Sequence, residues 1–91
     1  MASRQEERKL PFTPNQLAAA RDLLGRMTQE QLARAAGVSV VTIVHFESGK
    51  TVPHADTLQK ILGALENRGI EFSNGDSPGV KLRPEKAIIP V

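Results

Sequence analysis

The chain has 91 residues, which suits one small domain with a single modest core. It has no cysteine, which excludes disulfide bonds, thiolate metal sites and a cysteine nucleophile and fits a reducing cytoplasm, and no apolar run approaches the roughly 20 residues of a membrane span. Twelve Lys and Arg against ten Asp and Glu leave a net charge of only +2, which permits nucleic-acid binding without requiring it.

The stretch "TPNQ" predicts the start of the first helix. Thr13 is predicted as the N-cap, Pro14 as the first helical residue, and Gln16 as the side chain that reaches back to the cap. Apolar residues then recur at helical spacing, namely Leu17, Ala20 and Leu24. The helix is expected to end near residues 25–26.

A second capping signature, "TQEQ", follows at once. It predicts a short helix capped by Thr28, with Gln31 at the third position. Gly37 is expected to end this helix because glycine readily takes the left-handed backbone of a helix C-terminus. Ser39, two residues later, can cap a third helix, so two helices would meet across about three residues.

The stretch "GVSVVTIVHFESGK" is harder to interpret because its β-branched residues favour a strand. A strand starting at Val38 would begin against the end of a helix with almost no loop. A helix capped by Ser39 and closed by Gly49 instead places Ile43 and Phe46 close to one face. The sequence therefore predicts a helix against its local propensity, which costs only a few tenths of a kcal/mol per residue.

The fourth helix is predicted to start at Asp56 as N-cap and to end at Gly69. Its apolar face has the clearest helical spacing in the chain, formed by Leu58, Ile61, Leu62 and Leu65. After it the period changes to alternation in "GIEF" and "GVKLR", separated by the turn-rich "SNGDSPG". These stretches predict a β-hairpin, followed by the tail "PEKAIIPV", for which no structure is predicted.

Residues 13–66 resemble the phage-repressor and Cro-like (XRE-type) helix-turn-helix family. The positions that carry the resemblance are Gln29, Leu32-Ala33, Gly37-Val38-Ser39, Ile43, Glu47, Gly49, Pro53, Thr57-Leu58 and Ala64-Leu65. The resemblance implies a mainly α fold, a compact four- to five-helix repressor-like domain followed by a short C-terminal β-hairpin. It also implies that the third helix enters the DNA major groove.

The resemblance assigns roles to individual residues. The base-reading positions are Val40, Val41, Val44 and His45. The phosphate-contact candidates are Gln29, Ser39, Thr42, Lys50 and Arg26, of which Arg26 fits an ordinary surface position equally well. The structural positions of the motif are Gly37, Ile43, Phe46 and Glu47. Members of the family commonly carry polar residues at the first reading positions, so the valines are a departure, and we expect them to pack on thymine methyl groups. The alternative interpretation of Val41 and Val44 is burial against a partner or the tail.

Two further expectations concern contacts within the chain and between chains. The family often pairs Glu47 with an arginine of the first helix, a place at which an ungapped alignment puts Asp22. The adjacent Arg21 is the expected partner of Glu47. The apolar alternation after residue 68 exceeds what a small helical core needs, so Ile70, Phe72, Val80 and Leu82 are assigned to dimerisation. The chain is thus divided into a flexible arm (1–11), a DNA-binding domain (12–68) and a dimerisation hairpin with its tail (69–91).

The function predicted from these features is a sequence-specific regulator of transcription that binds double-stranded DNA as a homodimer on inverted repeats. The resemblance to the family adds the expectation that the protein regulates its own gene. The alternative is an antitoxin or anti-regulator whose C-terminal region binds a partner protein while the helix-turn-helix binds its own operator. An enzyme is rejected because two histidines, no cysteine and no phosphate-binding loop leave no catalytic constellation. No cofactor or metal is expected, and the expected location is the cytoplasm.

Overall fold

Four helices and one β-hairpin make up the computed structural model, which describes residues 10–74 and 76–83. In chain order these elements are α1 (Pro14–Leu23), α2 (Gln29–Ala36), α3 (Val40–Glu47), α4 (Ala55–Glu66), β1 (Ile70–Ser73) and β2 (Gly79–Leu82). The mainly α fold with a C-terminal hairpin confirms the prediction. Most of the N-terminal arm and the tail from residue 84 lie outside the described residues.

Both predicted capping boxes form. The Thr13 N–H donates to Gln16 Oε1 at 2.7 Å, and the Gln16 N–H donates to Thr13 Oγ1 at 3.0 Å. Thr28 and Gln31 repeat this exchange at 2.8 and 3.0 Å. Each box satisfies backbone donors that have no partner within the helix, so the starts of α1 and α2 are determined by residues within three positions of each other.

The helix ends agree with the sequence less uniformly. α2 ends as predicted, with Gly37 in the left-handed conformation at φ 73°. α1 ends at Leu23, slightly earlier than expected, and is followed by two left-handed residues, Gly25 at φ 76° and Arg26 at φ 61°. Left-handed backbone is common for glycine and unfavourable for arginine, so this turn holds Arg26 at some cost.

The predicted N-cap of α4 is wrong. The helix begins at Ala55, with His54 as an N-cap that makes no side-chain capping bond. The Leu58 N–H donates to the His54 carbonyl at 3.0 Å and closes the first turn two residues earlier than an Asp56 cap would. Asp56 lies instead within the first turn, where its carboxylate interacts favourably with the positive end of the helix dipole.

The β-branched stretch forms helix α3, as predicted. The Ser39 hydroxyl accepts a hydrogen bond from the Val41 N–H at 3.1 Å and caps the helix. Ile43 and Phe46 are almost completely buried. Burial of these two side chains, each contributing about 1.5–3 kcal/mol, outweighs the propensity penalty of the valines.

The core lies between all four helices and the hairpin. Phe12 is fully buried, its ring 5.6 Å from that of Phe46 in an edge-to-face arrangement and 5.2 Å from that of Phe72 (centroid to centroid). Leu, Ile and Met side chains complete the core, namely Leu17, Leu24, Met27, Leu32, Ile43, Leu58, Ile61, Leu65 and Ile70. The aromatic contacts join the segment before α1 to α3 and to the hairpin.

The hairpin packs one face on this core. Its antiparallel register places Ile70 opposite Leu82 and Phe72 opposite Val80, so these four apolar side chains share one face. Ile70 is buried, and the other three are half-buried against the core. The Gln16 side chain ties the loop end of the hairpin to α1, with its Nε2 donating to the carbonyls of Ser73 and Gly79 at 3.1 and 2.8 Å.

Among the residues that the structure describes, none of the helices has the length and apolar character needed to cross a membrane.

Candidate nucleic-acid interface

Helices α2 and α3 meet across a three-residue corner, Gly37–Ser39, and pack against each other. The Val38 N–H donates to the Ala33 carbonyl at 3.0 Å, so the chain folds back on the end of α2 before α3 starts. The buried Leu32 and Ala33 of α2 and Ile43 and Phe46 of α3 hold the two helices on the common core. This corner fixes the orientation of α3 and leaves its opposite face outside the core.

A polar network joins the helices α1, α2 and α3. Arg21 of α1 forms a two-pronged ion pair with Glu47 of α3, with Nη2–Oε1 at 2.6 Å and Nε–Oε2 at 2.8 Å. Arg21 Nη1 also donates to the Met27 carbonyl at 2.8 Å, and Gln29 Nε2 of α2 donates to Glu47 Oε1 at 3.1 Å. The expected pair of Arg21 with Glu47 is therefore formed, and it also holds the side chain of Gln29.

The environment of Arg21 favours its charged form. The hydrogen bond with Glu47 raises the pKa of the guanidinium above its ordinary value, against an opposing contribution from burial. The nearby carboxylates of Glu47 and Asp22 raise it further. The guanidinium therefore stays charged in the ion pair, in which only 19% of the Arg21 and 10% of the Glu47 side chain is exposed.

The exposed face of α3 is apolar. Val41 is 53% exposed and Val44 39%, and both lie on the side of the helix opposite the buried Ile43 and Phe46. The remaining two predicted base-reading residues are half-buried: Val40 packs partly against the core, and His45 lies near the end of the helix. The structure thus presents Val41 and Val44 most fully to an external ligand.

The predicted phosphate-contact residues divide into two groups by location. Gln29 is the first residue of α2, Ser39 caps α3, Thr42 lies in the first turn of α3, and Lys50 is exposed just after α3. These four belong to the helix-turn-helix unit. Arg26 is separate from them, because it lines a groove between α1 and β2.

The long-range polar contacts that the sequence analysis did not anticipate include one made by Gln29 and one made by Gln16. The hydrogen bond of Gln29 to Glu47 spans 18 positions, and that of Gln16 to Gly79 spans 63 positions. The capping pattern revealed the local role of Gln16, and the resemblance suggested a role for Gln29. Neither pattern indicates how the distant elements pack, and it is this packing that brings each side chain to its partner.

A comparison with protein families places the chain in a known one. A family model described as helix-turn-helix matches residues 17–72, which is more than half of the chain and includes most of α1 and all of α2, α3 and α4. No curated protein matches the sequence at a significant level. The matched family consists of DNA-binding regulators of transcription and is not a family of enzymes. The chain belongs to the XRE-type, Cro-like helix-turn-helix family.

Proposed function

We propose that this protein recognises a specific DNA sequence by inserting α3 into the major groove. The observation that supports this most directly is the exposure of Val41 and Val44 on a helix whose other side is anchored by Ile43 and Phe46. Exposed apolar side chains side by side on a rigid helix mark a surface for a ligand. The major groove, about 12 Å wide, accommodates one such helix.

The chemistry of this face favours thymine. Valine cannot form a hydrogen bond with a base, but its methyl groups can pack on the C5-methyl of thymine, which projects into the major groove. His45 supplies the polar group next to these valines and can contact guanine or a phosphate. Sequence-dependent DNA shape would then account for much of the remaining specificity.

Phosphate contacts around α3 would set its position on the duplex. Gln29, already oriented by Glu47, lies at the N-terminus of α2, where backbone N–H groups and the helix dipole also favour a phosphate. Ser39, Thr42 and Lys50 lie at the start and beyond the end of α3. Contacts on both sides of a groove hold a recognition helix in register without reading sequence.

The regulator would act as a homodimer on an inverted repeat, with half-sites roughly 34 Å apart. The hairpin is a reasonable source of contacts between the two copies, because Phe72, Val80 and Leu82 remain partly exposed beside the core. Ile70 contributes to the core of its own chain, being 1% exposed, so it supports a dimer only indirectly.

Selection of bound duplexes from random DNA, carried out with the full chain, tests the function. We expect a palindromic motif with thymines within each half-site. The enriched duplex is then compared with a copy in which uracil replaces thymine, which removes only the methyl groups. Weaker binding of the uracil copy supports the valine contacts, whereas equal binding overturns them.

The other outcomes bear on the function as a whole. Binding without an enriched motif would contradict sequence-specific recognition and leave phosphate contacts alone. Absence of DNA binding would overturn the proposal and favour recognition of a protein partner instead.

A further inference from the structure

A shallow groove of about 450 Å³ lies between α1 and β2, away from the DNA-reading helix. Its lining residues are Ala19, Asp22, Leu23, Arg26 and Val80. The first four come from one side of α1 and its following turn, and Val80 comes from the hairpin. None of them belongs to α3, so occupation of the groove leaves Val41 and Val44 free.

Leu23 is the apolar residue in this groove whose exposure is unexplained. Large exposed apolar side chains in the described part of the chain are Leu23, Val41, Val44 and Val52. Val41 and Val44 form the reading face of α3, and Val52 follows α3 in a loop. Leu23, 42% exposed at the end of α1, has no such role.

Two opposite charges flank Leu23. Asp22 and Arg26 are both exposed, and within residues 10–74 and 76–83 neither forms an ion pair. The Arg26 N–H donates to the Asp22 carbonyl at 3.2 Å, so the turn fixes the spacing of these two residues. Arg26 holds this place in a left-handed conformation that glycine would adopt more cheaply, and such a residue is a reasonable candidate for function.

We propose that a second copy of this chain occupies the groove, related to the first by a two-fold axis. A two-fold interface is self-complementary, because each residue pair across it occurs twice. Asp22 of each copy would face Arg26 of the other, with Leu23 and Val80 buried between the two ion pairs. A single chain thus carries both halves of the charge complementarity that the interface needs.

This inference rests on the proposed homodimer and specifies its surface. It places the contact on α1 and β2, whereas the sequence alone assigned it to the apolar residues of the hairpin as a group. α1 packs directly against α3. An interface built on α1 would therefore fix the spacing and orientation of the two reading helices.

Charge reversal tests the interface, with the mass of the full chain measured by sedimentation equilibrium. In Asp22→Arg both facing pairs become two cations, and in Arg26→Asp they become two anions, so each variant alone should dimerise at least roughly tenfold more weakly. Aspartate tolerates the left-handed backbone of position 26. An equimolar mixture of the two variants restores two opposite-charge pairs and should yield heterodimers.

Matched controls place the same charge changes elsewhere. Lys60→Asp and Glu66→Arg lie on exposed positions of α4 and should leave the dimer unchanged. Leu23→Glu changes an exposed residue, so it should dissociate the dimer while circular dichroism shows an intact fold. If either charge variant fails to fold, Leu23→Glu still tests whether the groove forms the dimer interface.

The possible results separate the two proposals. Loss of dimer in the single variants and its recovery in the mixture support this interface. A dimer that none of the three groove variants weakens overturns the interface while leaving a homodimeric regulator intact. A wild-type chain that remains monomeric overturns both the interface and the proposed homodimer, whereas the DNA selection tests recognition by α3 independently.

Discussion

Gln16 shows how one side chain can serve local and distant structure together. Its Oε1 accepts from the Thr13 N–H in the capping box of α1, while its Nε2 donates to the carbonyls of Ser73 and Gly79 and lies 3.4 Å from Asn74 Oδ1. The residue is 5% exposed, so these contacts replace water almost completely. The attachment of the hairpin to α1 therefore depends on an amide that has both an acceptor and a donor.

Gln16→Glu should separate these two roles. A glutamate keeps the acceptor of the capping box but directs a carboxylate at carbonyl oxygens, so we expect a loss of about 2–3 kcal/mol in the free energy of unfolding. Gln31→Glu is the matched control, because Gln31 occupies the same position in the capping box of α2 without contacting the hairpin. Urea denaturation of both variants measures the difference, and equal stabilities would contradict the anchoring role.

The ion pair behind α3 gives a second prediction for a single residue. Glu47→Gln removes the charge that faces the largely buried Arg21 guanidinium, and we expect a loss of about 2 kcal/mol. Glu71→Gln alters the ion pair of Glu71 (40% exposed) with Arg83 (46% exposed). This substitution should lower the free energy of unfolding by less than about 1 kcal/mol. Thermal unfolding of the two variants compares the same chemistry at different burial.

This stabilisation should not vary over the ordinary pH range through Arg21. Its raised pKa means that the contribution is fully present below the ordinary arginine pKa and is lost only as the pH rises through the folded-state value. A stability difference between wild type and Glu47→Gln that disappeared near neutral pH would show that Arg21 is not its source.

Helix α3 is the element in which stability and function are expected to oppose each other. Alanine has a higher helix propensity than valine, and Val41 and Val44 contribute little to the core because both are exposed. Val41→Ala with Val44→Ala should therefore raise the free energy of unfolding by up to about 1 kcal/mol. The same change removes the methyl groups proposed to contact thymine and should weaken specific DNA binding.

Parallel denaturation and DNA titration measure these opposite effects. Gln59→Ala, on the exposed side of α4, is the control and should leave specific affinity unchanged. If the double valine variant binds specific DNA with unchanged affinity, the proposed contacts of Val41 and Val44 with thymine methyl groups are wrong.

The elements also show what the sequence could predict. Capping boxes, the glycine at Gly37 and the helical spacing of apolar residues act within a few positions, so they located the helices. Alternation of apolar residues around a turn-rich stretch located the hairpin in the same local way. The start of α4 was misplaced, because the first turn is closed by the backbone bond from Leu58 to the His54 carbonyl, which leaves no capping signature in the sequence. The site was predictable only where the family resemblance supplied positions, as with Glu47.

Contacts between distant segments were beyond such patterns. Nothing in the alternation of "GIEF" reveals that Ile70 would be buried in the core of its own chain rather than exposed on the hairpin. The placement of Arg26 in a groove with Val80 likewise depends on how β2 packs on α1. The sequence predicts the individual helices and strands. These two contacts depend on how the elements are arranged in three dimensions.

At the scale of the whole molecule, the small net charge of +2 limits the electrostatic contribution to DNA binding. Among the predicted phosphate-contact residues only Lys50 and Arg26 are cations, and Gln29, Ser39 and Thr42 act through neutral groups. Each cation that neutralises a phosphate contributes about −0.9 to the slope of log K against log salt concentration. The salt dependence of binding therefore counts the cations that lie on DNA.

Lys50→Ala should reduce the magnitude of this slope by about 1 per protomer and weaken binding similarly for all sequences. Arg26→Gly removes the other cation without straining the left-handed backbone. If Arg26 faces a second copy of the chain, this variant should weaken the dimer yet leave the slope per bound dimer unchanged. A reduction of the slope equal to that of Lys50→Ala, measured at protein concentrations that keep both variants dimeric, would instead place Arg26 on a DNA phosphate.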